Sequence, residues 1–220
     1  MKMTIGKRVI VGFATCVIVT ATLGAFAYSR LVGVAKNADV IVGDCMPGIK
    51  YAGEIETCML ANNGRLYKHL LAESAQETSQ IESAMAKTSA LQTEMMKQYE
   101  ATINDDKDRE LFQATTTVRT PYTEARKKAL ELSSANKKAE ARKVIESAVE
   151  PAFEKYLAAV EALVRFNQEN GSVYGDQITG AVRSGKQGII GGIGAAVLMC
   201  VGLSYVIVRG VNKALWGKKP

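Results

Sequence analysis

Two stretches without a charged side chain decide the fold: VIVGFATCVIVTATLGAFAYS, from Val9 to Ser29, and GIIGGIGAAVLMCVGLSYVIV, from Gly188 to Val208. Each is 21 residues long. At 1.5 Å per residue, each makes a helix of roughly 30 Å, the thickness of a bilayer's hydrocarbon core. They bracket 158 residues, Arg30 to Gln187, rich in charge. That middle segment is expected to lie on one side of a membrane as a separate domain.

Charge by position supports this reading. All 22 acidic residues lie between Asp39 and Asp176. Of the 28 Lys and Arg, seven flank the apolar runs on their outer sides: Lys2, Lys7, Arg8, Arg209, Lys213, Lys218 and Lys219. The middle is left with 21 basic against 22 acidic residues. The net charge of +6 is therefore a property of two short tails, not of a basic surface, and nucleic-acid binding is not expected. Positive flanks mark the cytoplasmic side, so residues 1–8 and 209–220 are expected in the cytoplasm and the middle outside. A competing reading takes the first run as a signal peptide cleaved after Ala25-Phe26-Ala27. Its uncharged core exceeds the usual h-region and its apolar pattern continues through Leu31 and Val34, which favours an uncleaved span.

Between the spans the periodicity is helical nearly throughout. A first helix continues from the first span through Leu31, Ala35, Ala38, Val42, Cys45, Ile49, Ala52, Met59, Leu66 and Leu70, interrupted by Glu56 and Asn63. Pro47-Gly48 is expected to kink it, because proline lacks a backbone donor and crowds the preceding turn. A second helix is expected from Thr78 to Ile103 with Ile81, Met85, Leu91, Met95 and Tyr99 inward. Asn104-Asp105-Asp106 is the turn, with Asp105 or Asp106 as the next cap. A third runs from Lys107 to Ser133 through Leu111, Val118, Tyr122, Ala125 and Leu132, bent at Pro121. After Ser133-Ser134-Ala135-Asn136, a fourth runs from Ala139 through Ile145, Ala148, Ala152, Tyr156, Ala159, Leu163 and Phe166, then through a glycine-dotted stretch into the second span. The middle helices are the shorter pair. The expected fold is all-α: two transmembrane helices flanking an antiparallel four-helix bundle on a two-helix membrane-proximal stalk.

Chemistry is sparse. The single histidine, His69, leaves little for a metal site or a His-based mechanism, and no Gly-rich phosphate loop, CxxC, HExxH or GxSxG occurs. No cofactor, metal or catalytic residue is expected. Cys16 and Cys200 fall in the spans. Cys45 and Cys58 are 13 residues apart, roughly 20 Å along one helix, beyond disulfide reach; buried thiols are expected, with a bridge across a dimer as the alternative. Arg65, Lys68 and His69 fall within about one turn, a face able to receive a small anion such as an organic acid or amino acid, unless it faces water or pairs with Glu73. Asn62, Asn63, Asn170 and Gln177 lie near the helix seams, where polar groups fix register. Gly188 and Gly192 form a G-x-x-x-G pair, with Ala195 and Ala196 after it, suited to close helix packing in a membrane.

Several local stretches carry a resemblance. These are Asp44-Cys-Met-Pro-Gly-Ile, the helix Glu54 to Leu71 with Arg65 inside it, Phe112 with Tyr122-Thr-Glu-Ala-Arg-Lys-Lys-Ala-Leu, and Phe153 to Asn170 with Leu163 and Asn167. With the layout, they make residues 1–210 resemble the sensory half of a methyl-accepting chemotaxis protein. The resemblance implies an inner-membrane homodimer that binds a ligand near its bundle interface and moves helix four and the second span slightly. In such receptors a HAMP domain and a long hairpin follow. The twelve residues Arg209 to Pro220 are too few for either, so output is expected to need a longer chain or a separate signalling partner. Val211 to Leu215 read as the start of a connector helix and Trp216 as an interfacial anchor. The input half of a sensor kinase or cyclase, or a helical membrane scaffold, are the alternatives.

Overall fold

In the computed structural model the chain is described from Thr4 to Trp216, excepting the side chains of Ile5 and residues 214–216. The tail lysines Lys2, Lys218 and Lys219 and the Trp216 side chain lie outside the described residues. Every element there is helical: α1 (Ile5–Val40), a π-helical segment Ile41–Cys45, α2 (Met46–Leu71), α3 (Ala75–Glu100), α4 (Asp106–Ser134), α5 (Lys138–Val144), a second π-helical segment Ile145–Val149, and α6 (Glu150–Trp216). The chain divides into two compact units, Asp39–Tyr174 and the pair Met1–Ala38 with Gly175–Pro220.

The first unit is a four-helix bundle whose turns are set by local chemistry. Ser74 caps α3 by accepting from the Glu77 amide at 3.1 Å, while Glu77 Oε2 accepts from the Glu73 amide at 3.3 Å, a reciprocal capping box. Asp105 caps α4 by accepting from the Asp108 amide at 2.9 Å. After α4, Asn136 takes φ 58°, the left-handed conformation that ends helices. Connections of three to five residues turn each helix back on its predecessor. Tyr99, Tyr122, Tyr156, Ile55, Met59, Leu66, Val160 and Leu163 are all within 1 % of full burial. Tyr99 stacks on Phe112, and Tyr122 packs against Phe153 and Tyr156.

Helix boundaries fall within about three residues of expectation, but several faces do not. At Pro47 the expected kink is a π-helical turn just before the proline, with the Met46 amide bonded to Ile41 O. The same device precedes Pro151: the Glu150 amide bonds to Ile145 O. Proline cannot donate to the carbonyl four residues back and its ring crowds it; one extra residue in the preceding turn relieves both faults. That extra residue shifts the inward face. Val42 is 66 % exposed and Leu31 and Ala35 are also exposed, whereas Ala52, Ile55, Met59, Asn62, Leu66 and His69 line the buried stripe of α2. Ala148 is likewise exposed while Ile145 and Val149 are buried. In α3, Leu91 points outward and Gln92 and Met96 are buried instead. Cys45 and Cys58 are buried free thiols.

The second unit pairs α1 with the C-terminal part of α6. Gly12 lies against Ile207, Gly192 against Leu23, Gly188 against Phe26 and Gly185 against Arg30. Cys16 Sγ and Cys200 Sγ are 3.3 Å apart, and Asn37 Nδ2 donates to Gln177 Oε1 at 3.1 Å. Residue numbers rise on one helix as they fall on the other, so the pair is antiparallel. A Cβ on Gly188 would come 2.5 Å from the Phe26 ring, and one on Gly192 would overlap Leu23. Each helix holds an 18-residue window of mean hydropathy above 2, long and apolar enough to cross a membrane, with at most 6 % of it buried.

Candidate functional site

The three cations singled out by spacing part company. Lys68 is exposed, His69 is wholly buried, and Arg65 is half-buried. A helix advances about 100° per residue, so a step of three or four residues keeps positions near one another but lets one face the core and the next the solvent. His69 belongs to a network at the far end of α2. Its Nδ1 lies 2.9 Å from Ser133 Oγ, and its Nε2 lies 3.0 Å from Glu82 Oε1, which also accepts from Ser134 Oγ at 2.9 Å. Lys138 Nζ donates to the His69 carbonyl at 2.8 Å and to Ser133 Oγ at 3.0 Å. The partner of His69 is thus Glu82 on α3 rather than Glu73. The hydrogen bonds from His69 and then Ser134 hold the Glu82 carboxyl below its ordinary range. The arrangement ties α2, α3 and α4 together.

Arg65 takes part in a different cluster. Its Nη1 donates to Thr88 Oγ1 at 2.9 Å and reaches Asn62 Oδ1 at 3.5 Å. Asn62, fully buried, donates to Ser89 Oγ at 3.1 Å. From the opposite helix Arg126 Nη2 donates to the same Ser89 Oγ at 3.3 Å, and its guanidinium lies 5.3 Å from the Tyr122 ring centre. Two guanidinium groups therefore meet neighbouring hydroxyls of α3, Arg65 of α2 at Thr88 and Arg126 of α4 at Ser89, and Asn62 links them by touching both Arg65 and Ser89. Among the described residues neither makes an ion pair. Arg126 Nη1 and the Tyr122 hydroxyl are buried without a hydrogen-bond partner. Two half-buried cations without a carboxylate are costly unless an anion joins them, and the unused donors supply what an anion would bind.

Sequence reasoning found Arg65, placed Asn62 at a seam as a register-fixing group, and missed Arg126 and Ser89. The signal for Arg126 was present: it lies four residues after Tyr122 and three before Ala129, both fully buried, so it borders the inward face of α4. Ser89 has no such signature. Of the seam polar groups, Asn62 is buried and Asn63 and Asn170 are half-buried. Asn167 is buried in yet another network, donating to the Tyr99 hydroxyl at 2.7 Å and to Leu163 O at 3.0 Å. Among the described residues no three His, Cys, Asp or Glu side chains gather as a metal site.

A four-helix bundle with polar clusters in its seams and two apolar helices is the layout of a sensory module, and the sequence comparison agrees. Residues 2–179 match the model of the four-helix-bundle sensory module for signal transduction. The chain belongs to the sensory modules of methyl-accepting chemotaxis proteins. No curated protein matches it. As a chemoreceptor sensory module it serves signal transduction in chemotaxis, and its family is a signalling one rather than a catalytic one. The two apolar helices fit a membrane protein.

Proposed function

We propose that this sensory module is the input unit of a bacterial inner-membrane receptor that binds a small anion, an organic acid or amino acid, between Arg65 and Arg126. The observation that carries the reading is that two unneutralised guanidinium groups flank one bonded pair, Arg65 on Asn62 and Arg126 on Ser89. Lys68, exposed three residues beyond Arg65, adds positive potential at the rim, and His69 acts through the packing of α2 rather than by contact. The spans are Val9–Ser29 and Gly188–Val208, with residues 30–187 periplasmic, a two-helix stalk next to the membrane and both termini cytoplasmic. Gly188 and Gly192 let the two spans approach closely. Ligand capture draws α2 and α4 together and displaces the final helix by an ångström or two, a movement passed through the second span to a signalling partner.

A second copy of the chain is the expected partner along α2. Met46, Leu60 and Leu71 are 59 %, 47 % and 77 % exposed. With Gly53 and Tyr67 they follow a spacing of seven, or seven plus four, the repeat that packs like helices side by side.

The test is thermal stabilisation of the full chain in lipid nanodiscs by a panel of dicarboxylic acids and amino acids. A hit weakened by about tenfold or more in both Arg65→Gln and Arg126→Gln, and little changed in Lys68→Gln, supports the site; one charge-assisted bond is worth about that much. A hit indifferent to both arginine variants removes it.

A further inference from the structure

One buried carboxyl remains without a role. Asp44 lies in the π-helical segment Ile41–Cys45 and is 5 % exposed. Its Oδ1 is buried with no hydrogen-bond partner. The groups it interacts with are Asn104 and Asp105 from the turn before α4, Asp108 from α4, Tyr99 from α3 and Cys45 beside it, while Arg109 of α4 and Asn167 of α6 stand one partner further out, on Asp108 and Tyr99. The only cation among them, Arg109, is exposed and acts on Asp108 rather than on Asp44.

The hydrogen-bond directions assign the protons. Asn167 Nδ2 donates to the Tyr99 oxygen at 2.7 Å, so Tyr99 spends its own proton on Asp108 Oδ1, 2.5 Å away. Asp108 therefore acts as the acceptor, in the first turn of α4 where a negative charge is favoured. Asn167's second bond goes to Leu163 O. Nothing in this chain of donors is left for Asp44. A buried carboxylate with an unsatisfied oxygen and a second carboxylate nearby is expensive, whereas a neutral carboxylic acid there is not.

We propose that Asp44 is a proton-binding site, neutral in this packing, and that its ionisation loosens the turn Ile41–Cys45 from α6, where Cys45 packs against Gly171, so that the module reports proton concentration as well as a solute. Burial raises the Asp44 carboxyl above its usual range; Asn104 opposes this and Asp105 adds to it. Because the folded-state value is raised, the packing is firmest below the ordinary carboxylate range and weakens as pH rises through the higher one. That the protons read are external rests on the membrane topology proposed above; the proton site itself does not.

Cys45, 1 % exposed and adjacent to Asp44, is a reporter, and Cys58, 3 % exposed and thirteen residues away, is an internal reference. Burial raises both thiols, an effect the ratio of their alkylation rates largely cancels; an ionised Asp44 raises the Cys45 thiol alone, which slows its labelling and so works against the expected rise. The experiment uses the full chain with Cys16→Ala and Cys200→Ala in nanodiscs, without added organic acids. Maleimide labelling of Cys45 relative to Cys58 is followed by mass spectrometry from about pH 4 to about pH 8. The expected result is a rise on the order of threefold or more with pH as the segment opens locally, and a flat, low ratio in Asp44→Asn. A flat ratio in the parent, or an undiminished rise in Asp44→Asn, overturns the proposal. Should that variant fail to fold, carbon-13 NMR of aspartate-labelled parent protein decides: the carboxyl assigned to Asp44, resolved from that of Asp108, which burial also raises, must titrate above the ordinary range, and its failure to do so also overturns the proposal. Loss of solute binding with this titration intact would remove only the anion reading.

Discussion

Gly48 and Asn167 compete for one volume: a methyl group on Gly48 would lie 2.6 Å from the Asn167 Cγ and closer still to its Oδ1. The carboxamide cannot swing aside, because it holds both the Tyr99 hydroxyl and the Leu163 carbonyl. Helix propensity alone makes Gly48→Ala a gain of about 1 kcal/mol. Overpacking costs about 1–3 kcal/mol and should win. Gly53, five residues on, has open space where its Cβ would go. Denaturant unfolding should therefore show Gly48→Ala destabilised and Gly53→Ala stabilised. Equal signs would mean that the Asn167 contact yields freely.

His69 should matter to stability more than its polarity suggests. Removing the ring in His69→Ala leaves a cavity and strands Ser133 and Glu82, a loss of roughly 2–4 kcal/mol. The Glu82 carboxyl is held low by His69, so its contribution is present above the ordinary carboxylate range and fades as pH falls through the lowered value. In Glu82→Gln the acid limb of the melting-temperature profile should flatten. An unchanged acid limb would separate Glu82 from the network.

Alkali should act through the buried phenols. Burial pushes Tyr156, 0 % exposed, up to about 12. Its phenol thus favours the folded state below about pH 10, the unfolded value, and that stability is lost as pH rises toward about 12. Ultraviolet titration should show tyrosines ionising late and together with loss of helical circular dichroism. Tyr156→Phe should move that unfolding to higher pH.

Oxidation offers a test of the paired apolar helices. Cys16 Sγ and Cys200 Sγ are 3.3 Å apart, so mild oxidation in membranes should join them within one chain, while buried Cys45 and Cys58 stay reduced. Gly192→Leu, which collides with Leu23, should cut the yield several-fold. A high yield in that variant would show that the helices pack elsewhere.

Much of this was legible in sequence because hydrophobic period and turn chemistry are local. The capping role of Asp105, the Asn136 turn, the inward Tyr99, Tyr122 and Tyr156, and the buried thiols follow from nearest neighbours. What escaped depends on phase. The π turns before Pro47 and Pro151 each shift the inward face by one residue, which is why Val42 and Ala148 were read inward and are exposed. Polar seams escaped for another reason: the burial of His69, Gln92 and Asn167 is offset by partners on other helices, which no single-helix pattern contains.

Each π turn carries one residue more than an α-helical path would need, and each ends two residues before a proline. These are therefore the two places where the chain can change length without unpicking the core. Deleting one residue within Ile41–Cys45 or within Ile145–Val149, together with replacing the proline that follows, should heal the turn into plain α-helix and leave every downstream side chain in its present slot. A deletion anywhere in Ala52–Leu66 would instead rotate the buried stripe out of register. Chains of this architecture should accordingly differ in length by single residues at these two points and hardly at all between them and the bundle's far end.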